Sequence, residues 1–95
     1  MIIKARKIDS SLTRKGFIKE EGRKHTFYFF VVDGKKTLIR THLSHGDKDC
    51  DDYLLSEIRK QLKFDKKGEL IDFIDCTKMN FEEYLSMLTD KSIKY

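Results

Sequence analysis

The chain has 95 residues, 38% of them charged and 39% hydrophobic, with no proline and no tryptophan. That is room for one domain, residues 1–95, and seven Phe with four Tyr supply enough core volume to exclude a disordered composition. The formal charge is +4, and no apolar run approaches the ~20 residues that a membrane helix needs, so no membrane partner is expected.

Ile3, Ile8 and Leu12 recur at helical spacing, and Arg14-Lys15 before Gly16 is a helix stop, which predicts a first helix over 4–15. From Phe17 the period becomes two. A strand is expected over 17–21, a turn at Gly22-Arg23-Lys24 and a second strand over 25–32. Asp33-Gly34 is a strong hairpin signal, because a two-residue type I′ turn needs positive φ at both positions. It returns residues 35–43 as a third strand. In the middle strand Phe27, Phe29 and Val31 share one face, and Tyr28, Phe30 and Val32 the other. Both faces are apolar, so both are expected to be covered at least in part. Helical spacing resumes at Leu54, Leu55, Ile58 and Leu62, with Asp47 or Asp49 expected as the cap. Asp65 is expected to cap a short helix bearing Leu70, Ile71, Phe73 and Ile74. Asn80 with Glu83 makes a capping-box start for a last helix bearing Phe81, Tyr84, Leu85 and Leu88. The order α-β-β-β-α followed by two short helices predicts an α+β fold, a three-stranded antiparallel sheet packed on helices. Residues 1–64 would form its core. Residues 65–95 would be a helical extension that either covers the second sheet face or widens the core.

The charge is unevenly spread. Residues 1–48 hold twelve Lys and Arg against five acids, a balance of +7, and residues 49–95 hold eight against eleven, a balance of −3. A half-chain this basic suits a negatively charged partner, most commonly nucleic acid. His25 stands beside Arg23 and Lys24. An imidazole near its neutral pKa can take a proton from a ribose hydroxyl or give one to a leaving oxygen, and the two cations can hold a phosphate. Lys15, Lys35, Lys36 and Arg40 are further phosphate-contact candidates, with His42 and His45 beside the start of the second long helix. The aromatic run Phe27-Tyr28-Phe29-Phe30 is read chiefly as core. It would serve as a base-stacking platform only if one face were open, Tyr28 being the member whose hydroxyl could reach a surface. His42, His45, Asp49, Cys50 and Asp51 offer metal-ligand types, but their spacing is not a ligand pattern. No metal site and no cofactor is expected. The amino-terminal stretch is charged from Lys4 onward, unlike a secretory signal, so Cys50 and Cys76 are expected to be reduced thiols in a cytoplasmic protein.

Five stretches carry a family resemblance: Lys15-Gly16-Phe17, Gly22-Arg23-Lys24-His25, Asp33-Gly34-Lys35-Lys36, Thr41-His42-Leu43-Ser44-His45-Gly46 and Ile58-Arg59-Lys60-Gln61-Leu62. Over roughly residues 4–75 the chain resembles the HicA-like (YcfA-like) toxins, prokaryotic mRNA interferases with a double-stranded-RNA-binding-like fold. The resemblance implies RNA as partner, a HicB-type antitoxin as protein partner, and His25 as the catalytic residue of metal-free RNA cleavage. Two residues separate Gly22 from His25 here, where the family has one, and residues 76–95 have no counterpart in the minimal toxin. Asp49, Asp51 and Asp52 occupy the helix start at which double-stranded-RNA-binding domains carry lysines, which argues against conventional duplex binding. The alternative expectation is a non-catalytic protein-interaction or nucleic-acid-binding module, docking through acids such as Asp72, Asp75, Glu82, Glu83 and Asp90.

Overall fold

The computed structural model describes residues 2–46, 48–75 and 80–95; the expectations for Asp47 and Cys76 lie outside them. Its elements are β1 (Ile3–Lys4), α1 (Ala5–Arg14), β2 (Phe17–Glu21), β3 (His25–Val32), β4 (Lys35–Ser44), β5 (Asp49–Cys50), α2 (Asp52–Gln61), α3 (Lys67–Ile74) and α4 (Phe81–Asp90). The fold is α+β. Strands β2, β3 and β4 form an antiparallel meander in that order, and the two-residue strands β1 and β5 form a separate antiparallel pair.

The β3–β4 hairpin turns at Asp33 and Gly34, whose φ angles of 52° and 77° are those a type I′ turn demands. Val32 faces Lys35 and Val31 faces Lys36, but beyond a bulge Phe29 faces Arg40 and Phe27 faces His42. The bulge therefore shifts the register by two residues on β4.

Alternation along the strands separates an inner from an outer sheet face. Phe17, Tyr28, Phe30, Ile39 and Leu43 point inward and are buried. All four helices deliver apolar side chains to that same core: Ile8 and Leu12 from α1, Leu55 and Ile58 from α2, Leu70, Phe73 and Ile74 from α3, and Tyr84 and Leu88 from α4. Tyr84 joins the layers, its ring 5.0 Å from Phe30 and 4.8 Å from Phe73, while its hydroxyl donates to the Leu62 carbonyl at 2.7 Å. The extra helices α3 and α4 thus widen the core instead of covering the second face. The outer face is covered only in part, as expected: Phe27, Phe29 and Val31 are half-buried, and Ile18, Leu38, Arg40 and His42 are exposed.

Two caps also differ from the sequence expectation. Asp51, not Asp49, caps α2, its carboxylate accepting from the Leu54 amide at 3.0 Å, because Asp49 is held in the ladder opposite Lys4. Asp65 does not cap α3; the cap is Lys66, and the Glu69 carboxylate reaches back to accept from the Asp65 and Lys66 amides at 3.0 and 3.1 Å. At α4 the capping box forms as its spacing predicts, with the Glu83 amide donating to the Asn80 side chain at 2.9 Å. Gly16 leaves α1 at φ 91°, and a Cβ there would stand 2.9 Å from the Phe81 ring, so both the turn and the α4 contact require glycine.

Candidate nucleic-acid interface

The outer sheet face gathers four of the nine contact candidates, His25, Lys36, Arg40 and His42. His25, Phe27 and Phe29 alternate along the middle strand, so all three side chains leave it on one side. The register adds Arg40 opposite Phe29 and His42 opposite Phe27 on β4, with Ile18 and Glu20 opposite the same two rings on β2. Phe27 and Phe29 stack with centroids 6.4 Å apart and planes 29° from parallel. The Lys36 ammonium lies 4.6 Å from the centre of the Phe29 ring and pairs with Glu20. This is a half-exposed aromatic strip edged by the exposed Lys36, Arg40 and Glu20.

At one end of the strip two imidazoles meet. The His25 and His42 ring centres are 5.0 Å apart with the planes at 88°, and both rings pack on Phe27 at 6.1 and 5.9 Å. Both line a cleft of about 270 Å³ between the end of β4 and α2, whose other walls include Tyr53, Glu57 and Gln61. The sequence points to His25 but does not pair it with His42. The pairing signal is nonetheless present, because a two-residue turn at Asp33-Gly34 without a bulge sets His25 directly opposite His42. The bulge moves them to a diagonal, still in contact.

Of the remaining predicted contacts, Arg23 and Lys24 are exposed in the turn before β3, and Lys35 is exposed at the far end of the hairpin. Two others stand elsewhere. Lys15 is 5% exposed; its ammonium donates to the Phe73 carbonyl and lies 4.6 Å from the centre of the Phe73 ring, so it belongs to the core and not to a phosphate surface. His45 leaves the strip. Its Nε2 sits 3.2 Å from a Glu21 carboxylate oxygen in a second cleft, with Asp9, Lys19 and Tyr28. Tyr28 does not reach the surface. It is buried, and its hydroxyl donates to Asp9 Oδ2 at 2.5 Å, with the Lys19 ammonium 2.8 Å from the same oxygen. Burial, followed by the hydrogen bond to Asp9, pushes the Tyr28 phenol well above its ordinary range. Partial burial alone would raise the Asp9 carboxyl, but hydrogen bonds from Lys19 and Tyr28 and the Lys19 charge outweigh it and hold the pKa below the usual carboxylate value.

The metal-ligand types in the sequence disperse. Cys50 is buried, Asp51 caps α2, Asp49 pairs with Lys4 at 3.2 Å and His45 with Glu21. Among the described residues no three His, Cys, Asp or Glu gather where they could hold a metal ion. No described helix is long and apolar enough to cross a membrane. No family model matches the chain, and no curated protein or solved structure matches it.

Proposed function

We propose that this chain binds single-stranded RNA across the outer face of its meander and cleaves it with His25 and His42 as an acid–base pair. The observation that carries the reading is the half-exposed strip itself. Among the described residues seventeen apolar ones are buried in the core on one side of the sheet, and two stacked phenylalanines, flanked by Lys36, Arg40 and two histidines, lie half-buried on the other. Stacked aromatics take the faces of unpaired bases, and the flanking cations follow the phosphates. Arg23 and Lys24 extend the positive edge past His25. The acids at the start of α2 disfavour a duplex there.

In the cleavage step one imidazole, neutral, accepts the proton of a ribose 2′-hydroxyl. The 2′-oxygen bonds to phosphorus and the bond from phosphorus to the 5′-oxygen breaks. The other imidazole, protonated, gives its proton to that leaving oxygen. The products are a 2′,3′-cyclic phosphate and a 5′-hydroxyl, and the imidazoles have exchanged protonation states. Arg40 and Lys24 stabilise charge on the phosphoryl oxygens. The HicA-like resemblance and the HicB-type antitoxin that it implies belong to this proposal, the antitoxin being the partner that would cover the open face.

The test is incubation of the pure protein with single-stranded and structured RNA in the presence of a chelator. The expected result is cleavage that persists, leaves cyclic-phosphate ends, and falls about a hundredfold or more in His25→Ala and in His42→Ala. Cleavage that neither substitution changes, or none by the wild type, would end the catalytic reading. Elution from a polyanion column at low salt would end the binding reading.

A further inference from the structure

The cleft that the two histidines share has a second wall, and its chemistry is selective. Tyr53, Glu57 and Gln61 are spaced four residues apart on α2, so they form one stripe along the helix, facing β4. Tyr53 is 70% exposed, so its ring is accessible to a stacking partner. Glu57 is half-buried, and among the described residues its carboxylate has no ion-pair or hydrogen-bond partner. Gln61 is fixed: its Oε1 accepts from the buried Thr41 hydroxyl at 2.5 Å, which leaves the Nε2 hydrogens as its remaining polar function. From one helix the cleft therefore presents an aromatic face, a charged double acceptor and, one turn on, an oriented donor.

We infer that this cleft is a guanine-recognition pocket, which rests on the RNA-binding reading and deepens it. The Watson–Crick edge of guanine carries two adjacent donors, the N2 amine and N1–H, followed by the O6 acceptor. The Glu57 carboxylate accepts both donors, and the Gln61 amide donates to O6. Adenine offers Glu57 one donor and an acceptor that the carboxylate repels. Uracil offers one donor, N3–H, flanked by two carbonyl oxygens that the carboxylate repels, and cytosine places two acceptors beside its one amine. A partly desolvated carboxylate left facing acceptors is costly, so the pocket discriminates by rejection as well as by attraction. The volume of about 270 Å³ accommodates one base, and the Tyr53 ring can cover its face. Because His25 and His42 line the same cleft, the ribose of the bound guanosine lies at the imidazole pair, which places cleavage on its 3′ side.

The probe is a fluorescent oligouridylate carrying one central guanosine, inosine or adenosine, titrated in anisotropy against the whole chain. Guanosine is expected to bind about tenfold to a hundredfold more tightly than adenosine, the range for a bidentate base contact, with inosine, which lacks the N2 amine, in between. Glu57→Gln is expected to collapse the guanosine-to-adenosine ratio to within about threefold. Tyr53→Ala weakens binding while keeping the ratio, which separates stacking from edge reading. Equal binding of all three probes, or a ratio that Glu57→Gln leaves intact, overturns the pocket while the open-face reading stands. No binding of any probe overturns both.

Discussion

Phe29 and Phe30 are neighbours in sequence and point to opposite sides of one strand, so the same truncation at each should have opposite consequences. Phe30 is 0% exposed, with ring neighbours Phe17 at 5.1 Å, Tyr84 at 5.0 Å and Phe81 at 5.5 Å. Phe30→Ala removes a fully buried ring and leaves a cavity, at a cost of about 3–5 kcal/mol. Against the roughly 5–15 kcal/mol that holds a domain together, that is about a fifth of the stability or more. At about 4–8 °C per kcal/mol, the melting point should fall by about 12 °C or more. Phe29 is half-buried and touches Lys36 and Phe27. Phe29→Ala should cost about half the transfer term plus the cation–π contact, about 2 kcal/mol in all. Each base that stacks on such a ring contributes about 1–3 kcal/mol, so Phe29→Ala should weaken single-stranded RNA binding by about 5- to 150-fold. Thermal melts followed by circular dichroism give the first quantity and anisotropy with a labelled oligoribonucleotide at fixed salt gives the second. Equal stability losses at the two positions, or RNA affinity untouched by Phe29→Ala, would refute the assignment of faces.

Three further outcomes are expected. Because the folded-state pKa of Asp9 is lowered, its contribution is complete above the unfolded value of about 3.9 and is lost as the pH falls from there through the folded value; Asp9→Asn should therefore destabilise by about 1–2 kcal/mol at pH 7 in urea titrations, and the gap to wild type should narrow progressively as the pH falls below about 3.9. Lys15→Met should change the melting temperature but leave the salt dependence of RNA binding alone, whereas Lys36→Ala or Arg40→Ala should each lower the slope of log K against log salt by about 0.7; an equal change of slope for Lys15→Met would show that its ammonium is not in the core. Gly16→Ala should destabilise by about 2 kcal/mol or more, since it meets both an unfavourable φ and the Phe81 ring, and a neutral result in thermal melts would contradict that contact.

What the sequence reveals follows from how local each signal is. The Asp33-Gly34 turn, the alternation in β3 and the Asn80–Glu83 capping box are specified by a few neighbouring residues, and each appears where expected. The two-residue strands β1 and β5 have no such signature, because two residues cannot display a period, and their pairing joins segments far apart in the chain. The destination of α3 and α4 depends on which sheet face offers Tyr84 and Phe73 a better fit, a tertiary choice that helix periodicity does not encode. That choice is also what leaves Phe27 and Phe29 without a helix over them. At the site, His25 is legible from its basic neighbours, but its contact with His42 needs the hairpin register, and the bulge turns it from directly opposite to diagonal. Lys15 shows the reverse case. Its charge suggests a surface, yet the helix stop at Gly16 turns its stem inward, where the Phe73 carbonyl and ring satisfy the ammonium.

The open sheet face is tested most directly by titrating the isotopically labelled protein with a short single-stranded oligoribonucleotide and following amide and side-chain shifts by NMR. RNA binding on the outer face predicts that the largest changes map to His25, Phe27, Phe29, Lys36, Arg40 and His42, with α3 and the buried side of α1 unmoved. Changes confined to the helices, or no change at millimolar RNA and low salt, would contradict it.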